Sequence, residues 1–560
     1  MFRGLPWTLA YREQQQLFLY DKTYLVPCLF SLGGLSTLSA RFFVQFFWNP
    51  TLAVLITLAL LGLGAWLLWV SVRKSRADWP LLPLCLIPFA FLAASLSENA
   101  MHYGVLTAWL IALASLCGYS RIRSGRLLLG ILITIAVYLT AGPAALLFAL
   151  CAAILDLWKK EWATALLVPV ALLCGLGAWL LGWTPTLASA LTPAFYFDLD
   201  ASMNAVHWIP WALLPLTVLG CCAAKNLKCK RLPVFGVCTV LLVIALFPAS
   251  QVAKNTEKRQ AVLTYEYEYY VTNEDWDGLI QSCRTHEWIP HTAQYLNLAL
   301  SWKGKLLDEM FQYDQRGPDG LIRMSEDRGI EVTQAHIMFA MGNVAAAQDV
   351  AFNTLYSTEG FCPAMLKTNA QVELMRGTYA VADKYLSILE KAPHYSRWAK
   401  EQKRFLYNDE AVEADPLLGT GRRSWPQVDG FSMFGSPLDE LMRVVDANPG
   451  NSRAMEYALA YMLLAKDIPS VVGVVSRYFG QPGFESLPVP VQEAILFYSE
   501  YTRNVNGADA LGPEWCVAHG VTEGTIRRFQ KFQEESLKSG GKAPKGYHSS
   551  YWYYLLYKQI

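Results

Sequence analysis

Acidic residues are nearly missing from the first 250 positions of this chain. Only eight of its 46 Asp and Glu fall there, and the remaining 38 follow. That scarcity excludes an ordinary soluble domain over this stretch, because about one-quarter of a soluble domain's residues are charged. The formal net charge is +1, with no strongly basic face and no nucleic-acid-binding motif, which sets nucleic acid aside as a partner. Disulfide scaffolding is excluded as well. Nine of the twelve cysteines lie in or beside the apolar half, where cysteine behaves as a small hydrophobe. Cys283, Cys362 and Cys516 are the rest, an odd and widely spaced set. Zinc motifs are absent: there is no HExxH and no pair of CxxC, and Cys222, Cys229 and Cys238 lack ligand spacing. No metal ligands are therefore assigned. Phosphate loops and the GxSxG elbow are missing too. The start, MFRGLPWTLAYREQQQ, has neither an apolar core nor a small-residue cleavage site, so it is not a cleavable signal peptide.

What the chain has instead is apolar length. It is 53% hydrophobic and 17% charged. Leu232–Ser250 is uncharged, with Lys225, Lys228, Lys230 and Arg231 before it and Lys254–Arg259 after it. About 20 apolar residues span a hydrocarbon core at 1.5 Å per residue, so this run reads as the last membrane helix. Upstream, Thr51–Val72, Leu81–Ser97, Val105–Tyr119, Trp162–Trp183 and His207–Ala224 read as further spans. Leu127–Leu157 is too long for one span and contains Thr140-Ala-Gly-Pro143. Proline lacks a backbone donor and disfavours helix at the preceding residue, so two helices meet there.

Positive charge tests the resulting eight crossings. The twelve Lys and Arg between Thr51 and Ser250 sit in four clusters, around Arg73, Arg121, Lys159 and Lys225. All fall on one side, while Ser97–Tyr103, Thr140–Pro143 and Thr184–Val206 have none. Basic loops face the cytoplasm. The C-terminal part and residues 1–50 are then expected outside it. Residues 1–50 read as an interfacial segment: Tyr11–Tyr24 is polar with aromatics, Ser31–Leu38 is a turn, and Ala40–Trp48 is an aromatic amphipathic stretch. An outside N-terminus without a signal leads us to expect a further membrane helix upstream of Met1.

From Ala261 onward the pattern is helical. Gly304, Gly342 and Gly377 follow apolar helix ends and precede helices with small residues at i+4 spacing. Gly377-Thr-Tyr379-Ala-Val-Ala382, with Leu386, Leu389 and Pro393, resembles the tetratricopeptide (TPR) repeat, in which the Gly closes a tight turn and the Ala lets helices approach. Asp446-Ala-Asn-Pro449-Gly-Asn resembles the link between such repeats. Asp415–Pro437 interrupts the array, and the aromatic tail Tyr547–Tyr557 caps the last repeat or docks on the membrane domain. The expected fold is all-α: an interfacial segment over 1–50, a polytopic membrane domain over 51–250 and a TPR-like α-solenoid over 251–560.

The few carboxylates expected outside are the candidate functional groups, since ionisable residues at membrane depth mark function. They are Glu13, Asp21, Glu98, Asp198 and Asp200. Glu98 stands in a short turn with His102 one helical turn away. A helix cap accounts for Glu98 equally well, a wet loop for Asp198 and Asp200, and the polar side of an amphipathic helix for Glu13 and Asp21.

Two resemblances bear on function. Arg12–Phe18, Phe42–Pro50, Leu298–Met310 and Trp425–Ser432 resemble an uncharacterised family of bacterial envelope proteins, multi-pass and then TPR-like, over nearly the whole chain. The architecture is similar to the GT-C glycosyltransferase superfamily, and Tyr138-Leu-Thr-Ala-Gly-Pro143 is similar to its Thr-Lys-Gly-Pro turn, with Ala141 where Lys would stand. That likeness implies a sugar transferred from a polyprenyl-phosphate lipid to an acceptor held by the repeats. It implies a base at Glu13 or Asp21, with Glu98 and His102 next in line. Arg41 would face carrier phosphate, Asp198 and Asp200 would contact substrate, and a divalent cation could assist. No other cofactor is identified. The competing reading is a non-catalytic scaffold whose membrane part anchors a peptide- or protein-binding superhelix. A transporter ranks third, because the spans carry almost no buried charge and no inverted repeat is visible.

The charge pattern makes the first prediction. A reporter active only in the periplasm, fused after the last residue, gives signal, and a cytoplasm-only reporter at the same point stays silent. The reverse pair of results overturns the topology.

Overall fold

The computed structural model describes residues 4–73, 76–198, 203–224, 231–256, 259–322, 330–358, 361–425, 436–506, 511–539 and 542–559. Asp200 and most of Trp425–Ser432 lie outside the described residues. Within them the chain is all-helical, and the single strand-like feature is an antiparallel bridge between Met101 and Phe197. Contacts divide the chain into two units, Met1–Tyr265 with Lys391–His394, and Glu266–Glu390 with Tyr395–Ile560.

The first unit opens with three short helices, α1 (Leu5–Gln15), α2 (Lys22–Phe30) and α3 (Gly34–Val44). Asn49 caps the next helix, accepting from the Thr51 and Leu52 N–H groups, and Pro50 takes the first helical position. Pro suits that position because its missing donor would be unpaired there anyway. The helices that follow are α4 (Pro50–Val72), α5 (Leu82–Ser95), α6 (Gly104–Tyr119), α7 (Arg126–Ala141) and α8 (Ala144–Leu157). After them come α9 (Leu167–Leu180), α10 (Leu187–Leu191), α11 (Trp208–Ala224) and α12 (Arg231–Thr256), and α13 (Arg259–Thr272) runs from the first unit into the second. As the proline requires, the long apolar run breaks at Gly142–Pro143. The last apolar helix is longer than its apolar run: α12 passes Pro248 and reaches Thr256.

Pro50–Val72, Asp78–Ser95, Trp162–Leu180 and Arg231–Lys254 are long and apolar enough to cross a membrane. Four more apolar helices, α6, α7, α8 and α11, are shorter. Large apolar side chains such as Leu132, Leu173, Val243 and Phe247 stay exposed on these helices, a surface that water disfavours and hydrocarbon accepts. The interior holds an aromatic chain in which Trp109 meets Phe89 and Trp211 edge-on. Two polar clusters tie the helix ends. In one, buried Asp156 on α8 accepts from Tyr119 Oη of α6 at 2.7 Å and from Arg126 Nη2 of α7 at 2.5 Å.

The other lies where the loops without Lys or Arg come together. Gly33 N–H donates to Leu139 O (2.9 Å), Thr107 Oγ1 to Ser36 O (2.7 Å) and Tyr138 Oη to Ala190 O (2.8 Å). Tyr196 Oη donates to Ala141 O and accepts from Ala144 N–H, closing the Gly142–Pro143 turn. The ring of Phe195 sits where a Cβ on Gly142 would be, 2.9 Å away. The segments expected on one face therefore pack against one another.

The second unit is built from consecutive helices packed in pairs. Examples are Trp276–Thr285 with Thr292–Trp302, Glu331–Ala340 with Val344–Ser357, Pro363–Arg376 with Tyr379–Glu390, and Pro437–Ala447 with Ser452–Leu464. One turn recurs between helices at Glu274, Gly304, Gly342, Gly377 and Lys466, each with φ between 55° and 79°. Its two bonds run from the left-handed residue back three positions and from the next residue back five. At Gly342 these are Gly342 N–H to Phe339 O (3.0 Å) and Asn343 N–H to Met338 O (2.9 Å). Such a turn satisfies carbonyls that a helix end would leave open. Asp275, Asn343 and Asp467 then cap the next helix with their side chains. Asp415–Pro437, expected to interrupt the array, contains the short helix Leu418–Arg423. The tail helix Tyr551–Tyr557 packs within this unit. Trp552 Nε1 donates to Glu493 O (2.8 Å), and Tyr551 N–H donates to Glu493 Oε2 (2.7 Å).

Gly377 tests the turn. Its φ is +75°, and the nearest atom to an added Cβ is 3.9 Å away, so a substitution meets backbone strain and no clash. Gly377→Val should lose roughly 1–3 kcal/mol of stability, whereas Gly377→Asn should lose less, because Asn tolerates this conformation. Thermal melts followed by circular dichroism check this. Equal melting of the two variants would count against the left-handed turn.

Candidate functional site

The second cluster begins with a buried cation. Arg12, near the end of α1, is 2% exposed. Its Nη2 donates to Leu96 O at 2.9 Å and Glu98 O at 2.8 Å. Those carbonyls lie just beyond the end of α5, where helical partners run out and the helix dipole is negative. Burial pulls the Arg12 pKa down to about 10, which leaves it charged near neutrality. Its Nε and Nη1 are buried without hydrogen-bond partners. Asn99 Nδ2 donates to Gln15 Oε1 at 3.2 Å, a second tie between α1 and the same turn.

The turn after α5 is zipped to the segment before α11. His102 N–H donates to Tyr196 O (2.8 Å) and Asp198 N–H donates to Ala100 O (3.0 Å), flanking the Met101–Phe197 bridge. Two histidine–carboxylate pairs result. His102 Nε2 lies 2.8 Å from Asp198 Oδ1, with both side chains nearly half exposed. His207 Nε2 lies 2.7 Å from Glu98 Oε2, with the His207 side chain fully buried and its ring edge-on to Phe197. A carboxylate only accepts, so each Nε2 carries the proton. His207 Nδ1 can then accept from Asn204 N–H at 3.2 Å.

The other candidates are placed apart from these pairs. Glu13 is 2% exposed and accepts from Gln14 Nε2 at 2.6 Å. Asp21 caps α2, accepting from Thr23 N–H and Oγ1 at 2.9 Å, and is ion-paired with Lys391. Lys391, and after it Thr23, holds the Asp21 carboxyl down at about 2, which makes it a poor base. Arg41 lies over the Tyr24 ring, with Nη1 3.4 Å from Tyr24 Oη. Among the described residues, no group of three or more His, Cys, Asp or Glu is arranged to hold a metal ion.

Sequence reasoning named Glu98, His102 and Asp198, and the structure gathers them. It missed Arg12 and His207. His207 could have been found by the rule that flagged Glu98, since it is an ionisable residue at the mouth of an apolar helix. No local signal marks Arg12, whose partners are 84 and 86 residues away.

The fold and this cluster define a helical protein with membrane-length apolar helices and a polar, histidine-bearing group of loops. The chain belongs to a family of unknown function (DUF6057), whose model matches residues 1–558. No curated protein and no solved structure matches it.

The buried pair makes a stability prediction. Glu98→Ala leaves the His207 N–H without an acceptor and should cost about 1–3 kcal/mol, while Glu98→Gln, which keeps an acceptor, should cost less. In a double-mutant cycle with His207→Phe, melting of the detergent-solubilised protein should show coupling. Additive losses would mean that the contact carries no energy.

Proposed function

We propose that this protein is a multi-pass enzyme of the bacterial inner membrane that transfers a sugar from a polyprenyl-phosphate lipid to an acceptor outside the cytoplasm. The His102–Asp198 pair is the observation that carries this reading. Asp198 accepts from Nε2 and so leaves Nδ1 as the basic atom, for which the described residues provide no hydrogen-bond partner. In the reaction, the acceptor hydroxyl gives its proton to His102 Nδ1 while its oxygen bonds to the sugar's anomeric carbon. The bond from that carbon to the phosphate oxygen breaks, and its electron pair leaves with the phosphate. Arg41 would meet the phosphate charge. Glu98 and His207 would hold the turn that presents His102. Glu13 and Asp21 drop behind His102 as bases, because Glu13 is buried and Asp21 is capped and ion-paired. In this proposal the helix pairs of the second unit form a TPR-like periplasmic array that holds the acceptor.

A scaffold is the second reading, and one observation favours it. The contacts of Arg12, Glu98 and Asp21 all hold structural elements together and need no substrate to explain them.

The test uses purified protein in lipid nanodiscs supplied with a labelled mixture of polyprenyl-phosphate sugars and envelope acceptor proteins. The wild type should release polyprenyl phosphate. His102→Gln and Asp198→Asn should slow release about 10²- to 10⁴-fold, the usual contribution of a positioned base, whereas Asp21→Asn should retain most of it. No release by the wild type, or full release by both pair variants, removes the enzyme reading and leaves the scaffold.

A further inference from the structure

The second unit contains a cavity of about 350 Å³ whose walls include Trp302, Phe339, Met375, Leu417, Asn451 and Arg453. That volume lies at the lower end of the range for small-molecule sites. We propose that it binds a carboxylate carried on a small apolar body, with Arg453 as the anion-binding group.

Three observations support this. First, among the described residues Arg453 has no carboxylate in an ion pair with it. Its guanidinium lies over the Trp302 ring, 4.1 Å from the centroid, and Trp302 stacks in turn on Trp276 at 5.5 Å and 2°. The π-face steadies the cation without neutralising it, so the donor edge stays available for the planar, two-oxygen match that guanidinium makes with carboxylate. Burial pulls the Arg453 pKa below the usual arginine range, opposed by the nearby Tyr457 and Glu456 side chains. Burial also pushes Glu456 up to about 7, so its opposing charge is weakened near neutrality. Second, Trp302 and Arg453 both line the cavity, so the guanidinium and the ring it stacks on stand together at its wall. Third, Phe339, Met375 and Leu417 give the walls apolar surface for the rest of the ligand. A single cation suits a monoanion, and a phosphate dianion would be left half compensated. Gly450, Asn451 and Ser452 bring the start of the Ser452–Leu464 helix to the same cavity, where the helix dipole adds to the positive potential.

Two sources offer such a group: the C-terminus of a peptide and a free organic acid. The inference stands whether or not the first unit is catalytic. Full-length protein in detergent micelles is titrated by calorimetry with N-acetyl-phenylalanine, with acetyl-Ala-Ala-Phe, and with the C-terminal amide of each. At least one acid should bind, its amide at least tenfold more weakly. Arg453→Gln should weaken the acid at least tenfold without changing the amide. A tripeptide that binds tighter than the single residue identifies a chain terminus, and equal affinities identify a free acid. If Arg453→Gln does not fold, the comparison of acid with amide on the wild type decides. No binding of either acid at about 1 mM (a limit of roughly −4 kcal/mol), or equal binding of acid and amide, overturns the proposal.

Discussion

The first unit is organised by the cost of burying one guanidinium. Arg12 is 2% exposed, and removing such a charge from water costs several kcal/mol unless polar groups replace its hydration. The replacement comes from Leu96 O and Glu98 O, carbonyls past the end of α5 that have no helical donors. One contact therefore meets two needs, closing an open helix end and compensating a buried cation. It also immobilises the turn. With the backbone of 96–98 pinned to α1 and the backbone of 100–102 zipped to 196–198, the side chains of Glu98 and His102 have little choice of direction. The two histidine–carboxylate pairs depend on that constraint.

Much of this architecture is legible in the sequence, because hydrocarbon length and proline act locally. The break of Leu127–Leu157 at Gly142–Pro143 follows from one missing donor, and four helices long and apolar enough to cross a membrane follow from apolar length alone. The left-handed turns at Gly304, Gly342 and Gly377 were also visible, since glycine is the residue that adopts them without strain. Their counterparts at Glu274 and Lys466 were not. Nothing about Glu or Lys announces a positive φ. At those two sites the helices on either side impose it, and the Asp that follows caps the next helix.

The candidate site was legible in its carboxylates and obscure in its partners. Glu98 and Asp198 stand out because acidic residues are rare around them. Asp21 stood out for the same reason, yet it is engaged by Thr23 and Lys391, and the second of these lies 370 residues away. Rarity marks a charged residue as needing an explanation, but only the fold shows whether the explanation is a cap, an ion pair or an accessible base. Arg12 and His207 belong to the same category: their significance comes from partners far along the chain.

The two pairs differ in one property that divides their roles. His207 is fully buried against Glu98, so exchanging its proton with solvent requires the cluster to open. His102 and Asp198 stay about half exposed, and their proton can move without any rearrangement. A buried pair holds geometry, because losing either partner leaves an unpaired group where water cannot compensate. An exposed pair holds less geometry but can accept and return a proton, which general base chemistry needs. Placing both on one zipped turn lets the buried pair position the exposed one. In the proposed reaction the proton-accepting role therefore falls to His102 and the supporting role to Glu98, although Glu98 has the shorter contact.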